Sequence, residues 1–232
     1  MSDQSGASTH ASGVKGPVSV QELSRWQAAV ARRSAETRAT VPDIELSVEA
    51  DVGAALELER TLGCGITALL VRACALALRA VPAANSAYRD GRFERYQRVN
   101  VGLLVATSEI YTIPTVFDAD GKRLGELGEE IAALRQRADA GTLSPADLSG
   151  ATFTLADMGP FGIASSTPVI VPPQAAAVGA GAVREVPIVR DRAIVPGRMM
   201  TITLSCDHRI LYGAAAGAFL GTIKSRLEEA SL

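Results

Sequence analysis

Histidine, lysine, cysteine and aromatic residues are all scarce in this 232-residue chain, with two His, three Cys and 4% Phe, Trp and Tyr together. Each shortage excludes something. Cys64, Cys74 and Cys206 are odd in number and far apart, which argues against a disulfide framework and against a paired Cys-x-x-Cys metal centre. A reducing compartment fits, and the cytoplasm is the expected location. With so few rings the core has to be packed from Ala, Val, Leu and Ile. The 23 basic residues are balanced by 25 acidic ones. No polycationic face is therefore available to neutralise phosphates, and neither nucleic-acid binding nor a membrane-surface role is supported. No apolar run reaches the roughly 18 residues of a membrane span, since the most hydrophobic stretch, Thr67 to Val81, is interrupted by Arg72 and Arg79. The opening MSDQSGASTHASGVKGP has no apolar segment of the kind a secretory signal needs. No carboxylate or histidine cluster has metal-site spacing.

What is present is enough for one sizeable core, 47% of the residues being hydrophobic. Residues 1–17 are polar and small, and are expected to be a disordered tail ahead of a single α+β domain over 18–232. Ser19-Val20-Gln21-Glu22 has the form of a capping box and predicts a helix to about Glu36. Alternation of Ile44, Leu46 and Val48 with Glu45, Ser47 and Glu49 predicts a strand over Asp43 to Val52, with a helix following through Leu62. Thr67 is expected to cap an apolar helix, buried on most sides, that ends before Pro82. Asp90-Gly91 marks a two-residue hairpin, and Val99 to Ala106 and Ile110 to Val116 read as strands. Leu124, Leu127, Ile131 and Leu134 give a helical stripe within Gly121 to Ala140. Thr152 to Ala156, Val169 to Val171, Ala175 to Gly181 and Arg198 to Cys206 read as further strands, and a helix from Ala214 to Glu229 closes the chain.

His10 falls in the tail, so His208 is the one imidazole the folded domain has for chemistry near neutral pH. If the alternation of the Arg198 to Cys206 strand continues, His208 lies on the apolar side with Cys206, where an imidazole can act as a neutral base. A structural histidine satisfied by local hydrogen bonds is the plain alternative. Asp207 and Arg209 beside it favour function, because a charged turn between an apolar strand and a helix is not needed for packing. A thiolate at Cys206 is a weaker candidate, buried cysteine being ordinarily inert. Gly179-Ala180-Gly181 has part of a phosphate-loop pattern but no helix after it, so close sheet packing explains it better.

Ser205-Cys206-Asp207-His208-Arg209-Ile210-Leu211-Tyr212-Gly213 resembles the Asp-His-Arg-x-x-Asp-Gly active-site motif of the catalytic domain of 2-oxoacid dehydrogenase dihydrolipoyl acyltransferases. That family shares its fold with chloramphenicol acetyltransferase. The likeness runs from about residue 19 to 232 through Ala29-Val30-Ala31-Arg32-Arg33, Val81-Pro82-Ala83-Ala84-Asn85 and Val99-Asn100-Val101-Gly102. It continues through Gly150-Ala151-Thr152-Phe153-Thr154-Leu155, Gly159-Pro160-Phe161-Gly162 and Pro172-Pro173-Gln174-Ala175-Ala176. The resemblance implies a two-layer sandwich of a mixed sheet packed with helices, assembled as a homotrimer or a multiple of trimers, with the active site in a channel between subunits. CoA enters from one end as co-substrate and the acyl carrier, lipoyl or phosphopantetheine, from the other. No metal is implied.

In that family the histidine takes the proton of the attacking thiol, and a serine or threonine hydroxyl from the neighbouring subunit stabilises the oxyanion. His208 is thereby the implied base, with Asp207, Arg209 and Gly213 supporting it. This chain departs from the pattern at three places. Ala156 stands where the hydroxyl belongs, Tyr212 where the family has Asp or Asn, and Gln27 where it has an arginine. Loss of one oxyanion donor costs about 3 to 4 kcal/mol, roughly a hundred- to a thousandfold in rate. Thr154, Ser165, Ser166, Thr167 and Tyr212 are candidate replacement donors. Arg32-Arg33 is a candidate for a CoA phosphate, although a solvated helix face is the better reading. Of the lysines, Lys15, Lys122 and Lys224, none sits in the Asp-Lys-Ala hairpin that carries lipoate. A carrier acting in trans is therefore expected, together with a 2-oxoacid decarboxylase component as partner. Two functions are implied: an acyltransferase using His208, or a catalytically impaired trimeric scaffold of such a complex.

Overall fold

The computed structural model describes residues 8–10, 14, 16, 18–107 and 111–232, and the chain divides into two compact units, Met1–Glu36 and Thr37–Leu232. In the first unit β1 (Ser8–His10) pairs antiparallel with β2 (Val18–Val20). The expected disordered tail otherwise lies largely outside the described residues, but this segment is a strand: Val18 and Val20 in β2 are β-branched and favour a pleated pairing. Ser19 is taken up by that ladder, so the first helix, α1 (Arg25–Thr40), begins later than the sequence predicts. The capping box is Ser24 to Gln27: the Ser24 N–H donates to Gln27 Oε1 at 2.9 Å and the Gln27 N–H to Ser24 Oγ at 3.2 Å. The helix passes the expected end at Glu36 and stops two residues before Pro42.

The second unit continues with β3 (Asp43–Asp51), α2 (Gly53–Leu62), α3 (Ile66–Ala80), the hairpin β4 (Ser86–Arg89) and β5 (Arg92–Arg95), then β6 (Val101–Leu103) and β7 (Val105–Ala106). It goes on through β8 (Tyr111–Thr112), β9 (Thr115–Val116), α4 (Leu124–Asp139), β10 (Phe153–Asp157), β11 (Ala176–Ala180), β12 (Arg184–Arg190), β13 (Ala193–Asp207) and α5 (Gly213–Glu228). Seven strands form one mixed sheet in the order β12-β13-β11-β10-β6-β9, with β3 also paired to β13. β10 runs parallel to β6 and β11, and the remaining pairs are antiparallel. The 15 residues of β13 serve three partners, and that strand ends at the His208 turn.

The two faces of the sheet differ in chemistry because side chains alternate along each strand. Phe153, Leu155, Val178, Ile202, Leu204 and Cys206 belong to the core with the helices, Phe153 meeting Phe219 of α5 edge to face at 5.7 Å between centroids. Ten of the fifteen residues of α3 are buried, as its all-round apolar sequence predicts. The opposite face carries Gly102, Thr154, Ala177 and Ser205 in one row and Ala156, Gly179 and Thr203 in the next. These residues are small or hydroxylated, so chain can pass close above them. A Cβ on Gly181 would lie 2.0 Å from the Ala164 carbonyl oxygen, which shows that the 179–181 glycines serve close packing.

Three further expectations need correction. Thr67 is not a helix cap: Gly65 holds that place, and the Thr67 hydroxyl donates to Asp157 Oδ2 at 2.7 Å. Residues Val169 to Val171 form no strand, because Pro168, Pro172 and Pro173 around them supply no ladder donors. The hairpin of β12 with the first half of β13 has no sequence signal. Its turn is Asp191-Arg192, both at positive φ without a glycine, and Pro187 faces Pro196 in the ladder. Of the expected Ile110 to Val116 strand, Ile110 lies outside the described residues, and the rest is split into β8 and β9. Among the described residues no single helix is long and apolar enough to cross a membrane.

Candidate active site

The end of β13 folds into a tight, charged turn. The Asp207 N–H donates to the Ala175 carbonyl at 2.8 Å, while the Asp207 carbonyl accepts from the Ile210 and Leu211 N–H groups at 3.0 and 2.9 Å. Its carboxylate is buried and accepts the Arg209 N–H at 3.0 Å, Arg209 Nε at 2.9 Å and Arg209 Nη2 at 2.6 Å. This forked pairing is the strong form of a charge-assisted hydrogen bond. The hydrogen bond to Asp207 pushes the Arg209 pKa up, and the guanidinium also lies 4.2 Å from the centre of the Tyr88 ring. The two charges in the motif thus fix the turn, and they leave the residue between them free for chemistry.

That residue is His208. Its backbone N–H donates to the Pro42 carbonyl at 2.9 Å, and its ring is met edge-on by Tyr212, 5.7 Å between centroids at 79°. The strand stops at Asp207, so the alternation does not carry through, and His208 is exposed instead of lying among apolar neighbours. It does not share a face with Cys206. The Cys206 thiol points into the core, is pushed up to about 12 by burial, and lies 3.7 Å from the Leu211 carbonyl. A thiolate there is excluded near neutral pH. Tyr212, 59% exposed, donates its phenol to the Arg209 carbonyl at 3.3 Å. Its own carbonyl accepts from Ala216, starting α5 at Gly213.

Thr154 and Ala156 lie elsewhere. Ala156 is buried on β10 opposite Gly179, which stands opposite Thr203 of β13. His208 is five positions beyond Thr203, about 16 Å at roughly 3.3 Å per strand residue, and β11 lies between the two strands. The residues expected in one site therefore form two groups that cannot touch one carbonyl within a single copy. Thr154 is also no spare donor: its hydroxyl donates to Gln174 Oε1 at 2.6 Å, both side chains are buried, and Gln174 Nε2 donates to the Ala151 carbonyl at 3.3 Å. Gln27 is engaged in the Ser24 capping box, and Arg32 makes an exposed pair with Glu36 at 3.9 Å, a solvated helix face. Sequence reasoning missed Tyr88 and Pro42, which only the tertiary fold brings to the turn.

Residues 15–232 match the family model described as the 2-oxoacid dehydrogenases acyltransferase catalytic domain. Component 2 of the dihydrolipoyllysine-residue acetyltransferase of the mitochondrial pyruvate dehydrogenase complex of Arabidopsis thaliana is 36% identical over 211 residues, which are 85% of this chain and 39% of that protein. The chain thus spans well under half the length of that relative. Among solved structures, the Azotobacter vinelandii dihydrolipoamide acetyltransferase superposes with a TM-score of 0.88 at 25% identity, over 93% of each chain. That structure accompanies enzymatic work on the role of a serine, a histidine and an asparagine in its catalytic mechanism. The cubic core of a pyruvate dehydrogenase multienzyme complex matches with a TM-score of 0.85 at 26% identity, over 91% of this chain and 92% of that one. At the level of fold alone, a chloramphenicol acetyltransferase matches with a TM-score of 0.54 at 13% identity, over 84% of this chain and 94% of that one, as the two-layer expectation requires.

Proposed function

Because the chain belongs to the family of 2-oxoacid dehydrogenase acyltransferase catalytic domains, we propose that it moves an acyl group between a lipoyl thiol held on a separate carrier and CoA, with His208 as the base. The observation that carries this reading is the His208 turn: a rigid, salt-bridged frame that holds an exposed imidazole between two residues whose own charges are spent on each other. In the direction toward CoA, the imidazole takes the proton of the CoA thiol and the thiolate adds to the thioester carbonyl carbon. The tetrahedral oxyanion then collapses, the bond to the lipoyl sulfur breaks, and the imidazolium returns its proton to that sulfur. General-base catalysis of this kind is worth about 10²- to 10⁴-fold.

In the Azotobacter enzyme the serine and the histidine stand as many residues apart as Ala156 and His208, and the asparagine follows the histidine by the interval that separates Tyr212 from His208. The separation of the two groups within one copy supports a site made by two copies, the turn from one and the Ala156 strand from the other, within a trimer or a multiple of trimers. The lipoyl carrier is favoured over phosphopantetheine because the curated relatives act on dihydrolipoyllysine residues. A 2-oxoacid decarboxylase component is the partner that would load it.

The test is thioester formation from acetyl-CoA and dihydrolipoamide by the purified protein, with sedimentation velocity on the same sample. Transfer by a trimer or larger assembly is expected. A trimer without transfer would support the scaffold reading, which Ala156 and Tyr212 favour, and a monomer would remove the shared site.

A further inference from the structure

The sheet row that lacks the family's hydroxyl has another hydroxyl lying over it. Ala156 pairs with Gly179, and ladder partners project to the same face on strands about 5 Å apart. A Cβ on Gly179 would meet Ser166 Oγ at 2.9 Å and the Ser166 carbonyl oxygen at 2.4 Å. Gly179 therefore lets the 163–168 segment sit directly on the strand beside Ala156. The segment is held from both ends: the Ala182 N–H donates to the Ile163 carbonyl at 2.7 Å, Ala164 rests over Gly181, and Pro168 Cδ lies over Gly179.

The candidate donors separate clearly in this geometry. Thr154 spends its hydroxyl on Gln174, and Ser165 is exposed. Thr167 is exposed and faces Glu45 Oε2 at 3.4 Å, and Tyr212 donates within its own turn. Ser166 Oγ alone among these candidates is buried without a hydrogen-bond partner. Buried hydroxyls are ordinarily paired, and this one can turn between its staggered χ1 wells without breaking a bond. On the acyl-transfer reading above, we propose that Ser166 Oγ–H is the oxyanion donor of this protein. The hydroxyl has moved from strand position 156 to the segment crossing over it. Ser166 shares its place in the sheet with Ala156 and so serves the His208 of a neighbouring copy. With the backbone already seated on Gly179, only the Ser166 side chain has to turn, which keeps small the reorganisation that oxyanion stabilisation has to avoid.

The experiment compares kcat and KM for acetyl transfer in the whole protein and in Ser166→Ala, Ala156→Ser, the double variant and His208→Ala. Ser166→Ala removes one unpaired oxygen and is expected to fold and assemble normally, which circular dichroism and sedimentation check. Its kcat should fall about 10²- to 10³-fold with KM for acetyl-CoA nearly unchanged. The double variant Ser166→Ala with Ala156→Ser should regain most of the loss. Parent-like kcat in Ser166→Ala overturns the proposal, as does a loss that Ala156→Ser fails to reverse or one seen only in KM. The acyl-transfer reading is judged separately, because it fails if the parent transfers no acetyl group or if His208→Ala is as fast as the parent.

Discussion

Replacing Gly179 by alanine places a methyl group where the Ser166 backbone already lies. The new Cβ would be 2.4 Å from the Ser166 carbonyl oxygen and 3.2 Å from Pro168 Cδ, so the segment has to rise by about an ångström to restore ordinary contact. Gly179 is not at positive φ, so the cost is one of contact and not of backbone conformation. Overpacking of this kind costs about 1 to 3 kcal/mol. At roughly 2 to 4 °C per kcal/mol for a chain of this size, Tm should fall by about 2 to 12 °C. Gly221 on α5 is the control, since a Cβ there meets nothing within 4 Å. Gly221→Ala should stabilise by about 0.5 to 1 kcal/mol through helix propensity. Both variants should be melted at one protein concentration, because assembly contributes to stability. Gly179→Ala should also lose acyl transfer as Ser166 is lifted, whereas Gly221→Ala should not. A Gly179→Ala protein as stable and as active as the parent would refute the seating of the 163–168 segment.

Asp207→Ala leaves the Arg209 guanidinium and N–H without their buried acceptor. Discounted for the partial exposure of Arg209, the loss is about 2 to 4 kcal/mol in urea unfolding, and one below 0.5 kcal/mol would show that the frame is not structural. The Ser144 N–H and hydroxyl, with Arg137, hold the Asp147 carboxylate below its usual pKa. A depressed folded value means stability present above the unfolded pKa of 3.8 and lost as pH falls through the folded one. Asp147→Asn should therefore be less stable than the parent at pH 6, with the gap closing toward pH 2, and a pH-independent gap would contradict this. Cys74 and Cys206 are pushed up to about 12 by burial, so iodoacetamide at pH 8 should label neither until the protein unfolds. Rapid labelling of the native state would show that the core is open.

The sequence is informative where local rules decide and silent where register does. The apolar run of α3, the alternation of β3 and the Asp90-Gly91 turn are local, and each stands where composition and spacing predict. Two serine caps with similar spacing compete before α1, and the choice of Ser24 over Ser19 follows from the pairing of β2 with β1, which no helix rule sees. The β12 hairpin was hidden by its prolines and by a turn without glycine. At the site, the motif points to His208. Its exposure depends on where β13 ends, and its distance from Ala156 depends on the order of strands. The same limit applies to Ser166, which looks no different from Ser165 in the sequence and differs only because Gly179 lies beneath it.

The role of His208 as the base of acyl transfer is tested most directly by kcat for acetyl transfer from acetyl-CoA to dihydrolipoamide in His208→Ala beside the parent. A fall of about 10² to 10⁴ with assembly intact is the predicted result. A variant that transfers acetyl groups as fast as the parent would contradict it.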